Sequence, residues 1–100
     1  MGNLEPSGIK ECVLDEIVNY AKQYNLSKVI LFGSRARGDY KEKSDIDLAV
    51  SGGKIAEFSL AVDEYTSTLL KYDIVNLDAS VQGELRQSIN KEGIVIYEKI

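Results

Sequence analysis

Two groups of residues suited to phosphate and metal chemistry lie in the stretch LFGSRARGDYKEKSDIDLAV, residues 31–50. Gly33 and Ser34 end an apolar run, and Asp45 and Asp47 open the next one. A glycine at a strand end lets the backbone turn sharply and lets a phosphate approach without a Cβ in the way. If a short helix follows, its N-terminal amide groups and dipole favour an anion, and Ser34 adds a hydroxyl. Gly33 and Ser34 therefore indicate a phosphate-binding turn, with an ordinary turn as the alternative.

Arginine is the side chain best suited to recognising phosphate, and the same stretch holds two of the three in the chain. Arg35 and Arg37 follow the turn directly, while Arg86 lies elsewhere. Either of the first two could supply a charge-assisted donor to a phosphate or be a solvated loop charge. The segment GSRARG is not a Walker A loop, because it lacks the GK[ST] ending which that motif requires.

The acidic pair is spaced for one face of a strand. Asp45 and Asp47 are two residues apart, so their side chains should project together, roughly 7 Å apart along the strand. Two such carboxylates repel, and the pKa of one rises unless a cation intervenes. Mg²⁺ accepts carboxylate oxygens together with phosphate and water ligands. The alternative is that Asp45 and Asp47 lie on a solvent-exposed face of the strand and bind no metal.

A third acid, Asp73, opens a later predicted strand and could reach the same face. Two metals bridged by carboxylates can clamp an in-line displacement at phosphorus. Asp73 could bind the second metal and accept the proton of an attacking hydroxyl, or simply fill a turn at a strand entry. The candidate catalytic residues and metal ligands are Asp45, Asp47 and Asp73.

Apolar periodicity predicts the elements that must position these residues. Spacings of three and four predict helices, and alternation or short apolar runs bounded by glycine predict strands. A brief helix should run through Arg37 and end at Gly38. The predicted order begins with a helix over 9–24 with Ser7 as N-cap, strands over 29–32 and 45–50, and a helix with an apolar row from Ile55 to Leu69. A strand over 73–77, a helix capped by Asp78 or Ser80 and carrying Val81, Leu85 and Ile89, and a strand over 94–97 follow.

Length and composition predict one domain over residues 1–100, with residues 1–6 as a loose end. One hundred residues is the size of one compact domain, and a chain with 44% hydrophobic and 28% charged residues can bury a modest core. The order of elements predicts an α/β domain of about four strands and three main helices. So short a chain leaves no room for a domain that holds an acceptor, which we therefore expect on another molecule.

Charge and hydropathy exclude several classes of protein. The net charge of −4 argues against direct nucleic-acid binding, which usually needs a basic face. No apolar run approaches the ~20 residues of a membrane span, and no secretory signal pattern precedes the domain. The lone Cys12 cannot form an internal disulfide, which is typical of a cytoplasmic protein.

Taken together, these motifs resemble a known family. Gly33-Ser34, ten intervening residues and Asp45-Ile46-Asp47 should coincide by chance in roughly one chain of this length in a thousand. This pattern, with Asp73 in YDIVNL, closely resembles the nucleotidyltransferase superfamily that includes DNA polymerase β. The short length and the text GSRARG…SDIDLAV are similar to minimal nucleotidyltransferases (MNT), the antitoxins paired with HEPN toxins. The resemblance covers about residues 9–97.

The resemblance implies an α+β nucleotidyltransferase fold with a mixed sheet, which binds ATP and Mg²⁺. Gly33 and Ser34 would contact the triphosphate, Asp45 and Asp47 would carry the metals, and Asp73 would complete the second metal site and act as base. Such MNT proteins add AMP to a tyrosine of a HEPN ribonuclease partner in a hetero-oligomer. Two alternatives stay open: an antitoxin that neutralises its partner by binding alone, and a stand-alone transferase for a small molecule or an RNA end. The further nucleotide-binding candidates are Arg35, Arg37 and Ser44.

Overall fold

The computed structural model of the chain describes residues 8–99, which form four helices and one four-stranded sheet. The sheet has the spatial order β3-β2-β1-β4 and is mixed, because β2 and β3 are parallel while β1 is antiparallel to both β2 and β4. The predicted α+β fold with a mixed sheet is confirmed. The elements are α1 (Glu11–Gln23), β1 (Lys28–Phe32), α2 (Ser34–Arg37), β2 (Ile46–Ser51), α3 (Ile55–Tyr65), β3 (Tyr72–Asn76), α4 (Gly83–Glu92) and β4 (Ile94–Glu98).

The strand directions bring three chain segments to one end of the sheet, which we call the site end. Because β2 and β3 are parallel and β1 is antiparallel to β2, the last residue of β1 lies at the same end as the first residues of β2 and β3. Phe32 pairs with Asp47, and Ile46 pairs with Tyr72. Gly33 therefore leaves the sheet at the end where the acidic residues enter it.

One face of the sheet is covered by α1 and α3, which supply most of the core. In α1, Val13, Ile17 and Ala21 recur every four residues, so they form one buried stripe. Phe58 and Val62 do the same in α3. Burying each such aliphatic or aromatic side chain contributes about 1.5–3 kcal/mol. The strand side chains in this cluster are Val29, Leu31, Ile46, Leu48 and Val50.

The opposite face is covered by α4, whose Ile89 packs with Phe32 and Ala49 in a second, smaller cluster. The centre of β2 is thus buried on both faces, with Leu48 in one cluster and Ala49 in the other. Since side chains two apart on a strand share a face, Asp47 lies on the α4 face, where it pairs with Phe32 of that small cluster. The candidate site therefore lies on the α4 face of the sheet.

The predicted apolar row from Ile55 to Leu69 is wrong at its end, because α3 stops at Tyr65. The backbone of Thr66 is extended, and its hydroxyl donates to the Val62 carbonyl oxygen (2.6 Å) and lies 2.9 Å from the Tyr72 hydroxyl. The run of hydroxyl residues 66–68 offers the backbone such side-chain bonds in place of helical ones. Leu69 is consequently outside the helix and fully exposed, at 103% of its reference area.

Helix α4 also begins later than predicted, at Gly83, with Gln82 at the N-cap position. Neither Asp78 nor Ser80 caps it. Instead, the Asp78 carboxylate accepts a hydrogen bond from the Gly52 backbone N–H (2.7 Å), which ties the end of β3 to the turn after β2. Gly83 therefore lies in the first position of the helix rather than in its middle, where its conformational cost would be higher.

The other predicted boundaries differ by only a few residues. The first helix begins at Glu11, two residues later than predicted, and the predicted N-cap Ser7 lies outside the described residues. The one-turn helix after Gly33 ends at Gly38, as predicted, and the backbone of Gly38 is in the left-handed conformation. Within residues 8–99, no helix is long and apolar enough to cross a membrane.

Candidate active site

The turn that follows β1 depends on a glycine at position 33. Gly33 has φ +76° and ψ −157°, and its carbonyl oxygen accepts the N–H groups of Ala36 (3.1 Å) and Arg37 (3.0 Å). A side chain is disfavoured at this φ, and an added Cβ would also collide with the Asp47 carboxylate. The turn and Asp47 are thus in direct contact. The first amide groups of a helix have no partner within it, so the start of α2 is suited to an anion.

The strand register sets two of the predicted acids side by side. Asp47 is half-buried and pairs with Phe32 on one neighbouring strand and with Asp73 on the other. Because paired residues of adjacent strands share a face of the sheet, the carboxylates of Asp47 and Asp73 project from the same face. Asp45 is exposed and lies just before β2, which begins at Ile46. All three acids are at the site end.

The electrostatics of this group centre on Asp47, whose pKa is raised to about 6. Burial is the largest cause, followed by the negative charges of Asp73 and then of Asp45, while the positive charge of Arg37 acts in the opposite direction. Each raising effect disfavours the ionised form. A cation placed among the three carboxylates would relieve the repulsion between them.

The oxygen atoms of these carboxylates are of the type that binds a hard divalent cation. Carboxylate oxygens are the ligands that Mg²⁺ prefers, and this ion is usually bound by one or two carboxylates together with substrate phosphates and water. Among residues 8–99, no three acidic, histidine or cysteine side chains are already arranged as a metal site. Carboxylates are chemically suited to Mg²⁺, and the role of Asp45, Asp47 and Asp73 as its ligands stays a prediction.

The two arginines after the turn have different environments. Arg35 is only 2% exposed, and its Nε and Nη2 donate to the carbonyl oxygens of Ser44 (3.0 Å) and Glu42 (3.1 Å). Its guanidinium carbon lies 4.7 Å from the centroid of the Tyr40 ring. These contacts direct the side chain to the loop before β2. The phosphate-binding role predicted for Arg35 remains a prediction, which these contacts do not favour.

Arg37 is exposed and lies between two acids. Its Nε donates to Asp39 (3.1 Å) and its Nη1 to Glu92 (2.9 Å), the last residue of α4. The hydrogen bonds to Glu92 and Asp39 raise the pKa of the Arg37 guanidinium above its ordinary value. Since its charge also lowers the pKa of Asp47, Arg37 acts electrostatically on the acid group. A contact between Arg37 and a nucleotide stays a prediction.

The two predicted serines lie at opposite ends of the loop. Ser34 is the first residue of α2 and is half-buried beside the Gly33 turn. The hydroxyl of Ser44 instead accepts the Lys41 backbone N–H (2.8 Å), and the Ser44 N–H donates to the Lys41 carbonyl oxygen (3.0 Å). Ser44 closes a turn just before Asp45. A contact between either serine and a nucleotide stays a prediction.

The sequence matches a known protein family over most of its length. The family described as polymerase beta, nucleotidyltransferase, matches residues 15–100. The chain belongs to the polymerase β nucleotidyltransferase family. A candidate protein adenylyltransferase of Methanocaldococcus jannaschii is 37% identical over 101 residues, which cover 88% of this chain and 98% of that relative. The prediction that this chain is a nucleotidyltransferase is confirmed.

Solved structures show that this nucleotidyltransferase has the fold of minimal members of the family. A crystal structure of a toxin–antitoxin with AMP-PNP superposes with a TM-score of 0.70 at 22% identity, covering 86% of this chain and 73% of that one. At this identity the likeness concerns the fold. A candidate minimal nucleotidyltransferase superposes with a TM-score of 0.64 at 28% identity, covering 81% of this chain and 86% of that one. The predicted resemblance to minimal nucleotidyltransferases is confirmed.

This nucleotidyltransferase has a pocket that lies away from the predicted site residues. It has a volume of about 250 Å³, below the 300–1,000 Å³ typical of small-molecule sites. None of the predicted site residues lines it. The lining consists of Tyr24 and of residues on α3, namely Glu57, Leu60, Ala61, Glu64 and Tyr65.

Sequence reasoning missed two features of the nucleotidyltransferase site. It did not separate the buried Arg35 from the exposed Arg37, because a four-residue helix is too short for periodicity to reveal its buried side. It also missed Glu92, which reaches Arg37 from α4. No local pattern could have found that contact, because the two residues are brought together only by the packing of α4 on the sheet.

Proposed function

We propose that this nucleotidyltransferase transfers AMP from ATP to a tyrosine hydroxyl of a cognate HEPN ribonuclease toxin and thereby neutralises it. The observation that carries the proposal is the register that pairs Asp47 with Asp73 beside the Gly33 turn. A relative described as a candidate protein adenylyltransferase supports a protein acceptor. The fold shared with a toxin–antitoxin crystallised with AMP-PNP supports a toxin partner and an adenine nucleotide.

In this proposal, the turn after β1 binds the nucleotide and the acidic residues bind the metal. Gly33 and Ser34 hold the triphosphate, and Asp45, Asp47 and Asp73 hold Mg²⁺. When bound, the metal supplies positive charge to the phosphates and lowers the pKa of the attacking hydroxyl.

The transfer itself exchanges one phosphorus–oxygen bond for another. The acceptor oxygen forms a bond to the α-phosphorus, the bond from that phosphorus to the oxygen bridging to the β-phosphate breaks, and pyrophosphate leaves. The hydroxyl proton passes to the Asp73 carboxylate. The acceptor reaches these residues from another molecule, the partner protein.

Intact-mass spectrometry of the partner tests this function. We expect the chain, ATP and Mg²⁺ to add mass in units of AMP to the HEPN protein encoded beside it, and peptide mapping to place each unit on a tyrosine. The double variant Asp45→Asn with Asp47→Asn should lose transfer at least 10³-fold while still binding the partner. Asp15→Asn, which makes the same chemical change at an exposed position of α1, is the matched control and should transfer normally.

Two outcomes would replace the proposal. If the partner is silenced without gaining mass, and the double variant silences it equally well, the chain neutralises by binding alone. If ATP is consumed with an RNA end or a small molecule in the absence of the partner, the chain is a stand-alone transferase.

A further inference from the structure

Arg35 holds the loop that connects the two halves of the site. It is the second residue of α2, directly after the Gly33–Ser34 turn, and its side chain is buried. Its guanidinium donates to two loop carbonyl groups, those of Glu42 and Ser44, and packs over Tyr40. The buried side chain thus joins the phosphate-binding turn to the segment that leads into β2.

The contacts of Arg35 require the forked shape of a guanidinium. Burying a charge costs free energy unless hydrogen bonds compensate it. A planar guanidinium can donate from Nε and Nη2 at once, in a fixed geometry, to two carbonyls two residues apart, while its face covers an aromatic ring. A lysine ammonium keeps the charge but cannot reproduce that fork.

The carbonyl that Arg35 Nε contacts belongs to the peptide bond between Ser44 and Asp45. On the other side of Asp45, the Ile46 N–H donates to the Lys71 carbonyl oxygen (2.8 Å), at the entry to β3. Asp45 lies outside β2, so strand pairing does not hold it directly. Its backbone is held from one side by Arg35 and from the other by Lys71.

We infer that Arg35 is a positioning residue that sets Asp45 relative to the Gly33–Ser34 turn, rather than a ligand of the nucleotide. The inference rests on the proposed role of Asp45 as a metal ligand. Loss of the forked guanidinium should therefore weaken metal binding in the nucleotide complex and increase the mobility of the loop before β2. A direct phosphate contact would instead make loss of Arg35 weaken nucleotide binding even without metal, and would leave the loop unchanged.

Two measurements on the full chain separate these roles. The first is Mn²⁺ binding in the presence of saturating AMP-PNP, followed by electron paramagnetic resonance, with AMP-PNP binding in EDTA measured alongside. The second is amide hydrogen exchange across residues 41–46 without any ligand. The variants are Arg35→Gln, which loses the charge, and Arg35→Lys, which keeps it. Arg86→Gln is the matched control, because Arg86 Nη2 also donates to a backbone carbonyl, that of Leu77 (3.3 Å), but on the exposed surface.

For Arg35→Gln we expect Mn²⁺ affinity to fall about 10-fold or more, exchange over residues 41–46 to accelerate, and AMP-PNP binding in EDTA to stay within twofold of the wild type. Arg35→Lys should show the same changes to a smaller extent, and Arg86→Gln should show neither. If Arg35→Gln does not fold, Arg35→Lys decides by the same criteria.

If a folded Arg35 variant shows unchanged Mn²⁺ affinity and unchanged loop exchange, the inference is overturned and the proposed function still stands. Weaker AMP-PNP binding in EDTA with an unchanged loop would overturn it in favour of a phosphate contact. A wild-type chain that binds no Mn²⁺ with AMP-PNP would overturn the proposed function, and the inference with it.

Discussion

At Asp47, burial and two neighbouring carboxylates act in the same direction and raise the pKa to about 6. The folded state therefore holds a proton on this residue at pH values where the unfolded chain, with a value near 3.8, has released it. The contribution of Asp47 to stability is fully present below about pH 4 and is lost as the pH rises through about 6. A residue suited to metal binding thus destabilises the metal-free protein near neutral pH.

Replacing Asp47 by a neutral residue should therefore stabilise the metal-free protein near neutral pH. Without divalent cations, we expect Asp47→Asn to raise the free energy of unfolding at about pH 7.5 by about 1 kcal/mol, a value reduced for solvent screening, and to bring little gain at about pH 4. Urea denaturation in EDTA at the two pH values measures the difference. Asp15→Asn serves as the control on an exposed helix position. An equal gain in the two variants would contradict the prediction.

Glycine at position 33 is required both by its backbone conformation and by the neighbouring Asp47 carboxylate, whereas Gly38 is required by its backbone conformation alone. Gly38, with φ +91° and ψ 3°, is in the left-handed region, where alanine should cost about 1–2 kcal/mol. Gly33, with φ +76° and ψ −157°, is in a region that essentially only glycine adopts, where a side chain costs about 1–3 kcal/mol. An added Cβ meets open space at Gly38 but the Asp47 carboxylate at Gly33. We expect Gly33→Ala to destabilise the protein by about 1–3 kcal/mol more than Gly38→Ala, as measured by urea denaturation.

The contact with Asp47 can be tested directly by a double-mutant cycle. The excess cost of Gly33→Ala should shrink when Asp47 is replaced by alanine, because the colliding carboxylate is then gone. Additive effects of the two substitutions would show that backbone strain alone explains the glycine.

At the scale of elements, α4 covers the sheet face that carries the acids, and few buried side chains hold it there. Ile89 is its one buried residue among those described and packs against Phe32 and Ala49. At the C-terminal end of the helix, Glu92 pairs with Arg37. The helix therefore links the small second core to the arginine beside the acid group.

Truncating Ile89 should consequently cost much more than truncating an exposed residue of similar size. We expect Ile89→Ala to lower the free energy of unfolding by about 2–4 kcal/mol, through lost burial and the cavity left behind. Leu60→Ala, on the exposed side of α3, should stay within about 0.5 kcal/mol of the wild type. Urea denaturation of both variants provides the measurement, and equal losses would mean that Ile89 does not anchor α4.

At the scale of the whole molecule, nucleotide and metal should stabilise the fold together. A ligand that binds only the folded state at one hundred times its Kd adds about 2.7 kcal/mol, which for a chain of this length corresponds to a rise in Tm of about 11–22 °C. We expect this rise with ATP and Mg²⁺ and a much smaller one with ATP in EDTA. Differential scanning fluorimetry measures both.

The double variant Asp45→Asn with Asp47→Asn should lose the metal-dependent part of this rise, whereas Asp15→Asn should keep it. Equal rises in Tm with Mg²⁺ and with EDTA would contradict a metal site formed by these acids.

The sequence alone determined the features that depend on neighbours along the chain. The apolar spacing of α1, the alternation in β2 and the glycines that bound α2 are local patterns, and their elements lie within a few residues of the predicted positions. The spacing of Gly33-Ser34 and Asp45-Ile46-Asp47 likewise identified the family, because the whole pattern lies within one short segment of the chain.

Only the tertiary structure decided which distant residues meet. The parallel pairing that puts Asp73 beside Asp47 depends on how α3, which connects β2 to β3 along the chain, packs on one face of the sheet. The burial of Arg35 and the use of Asp78 to hold Gly52 rather than a helix depend on loops folding back onto the sheet. Such contacts are set by packing and hydrogen bonding in three dimensions, and residue types and spacing along the chain do not encode them locally.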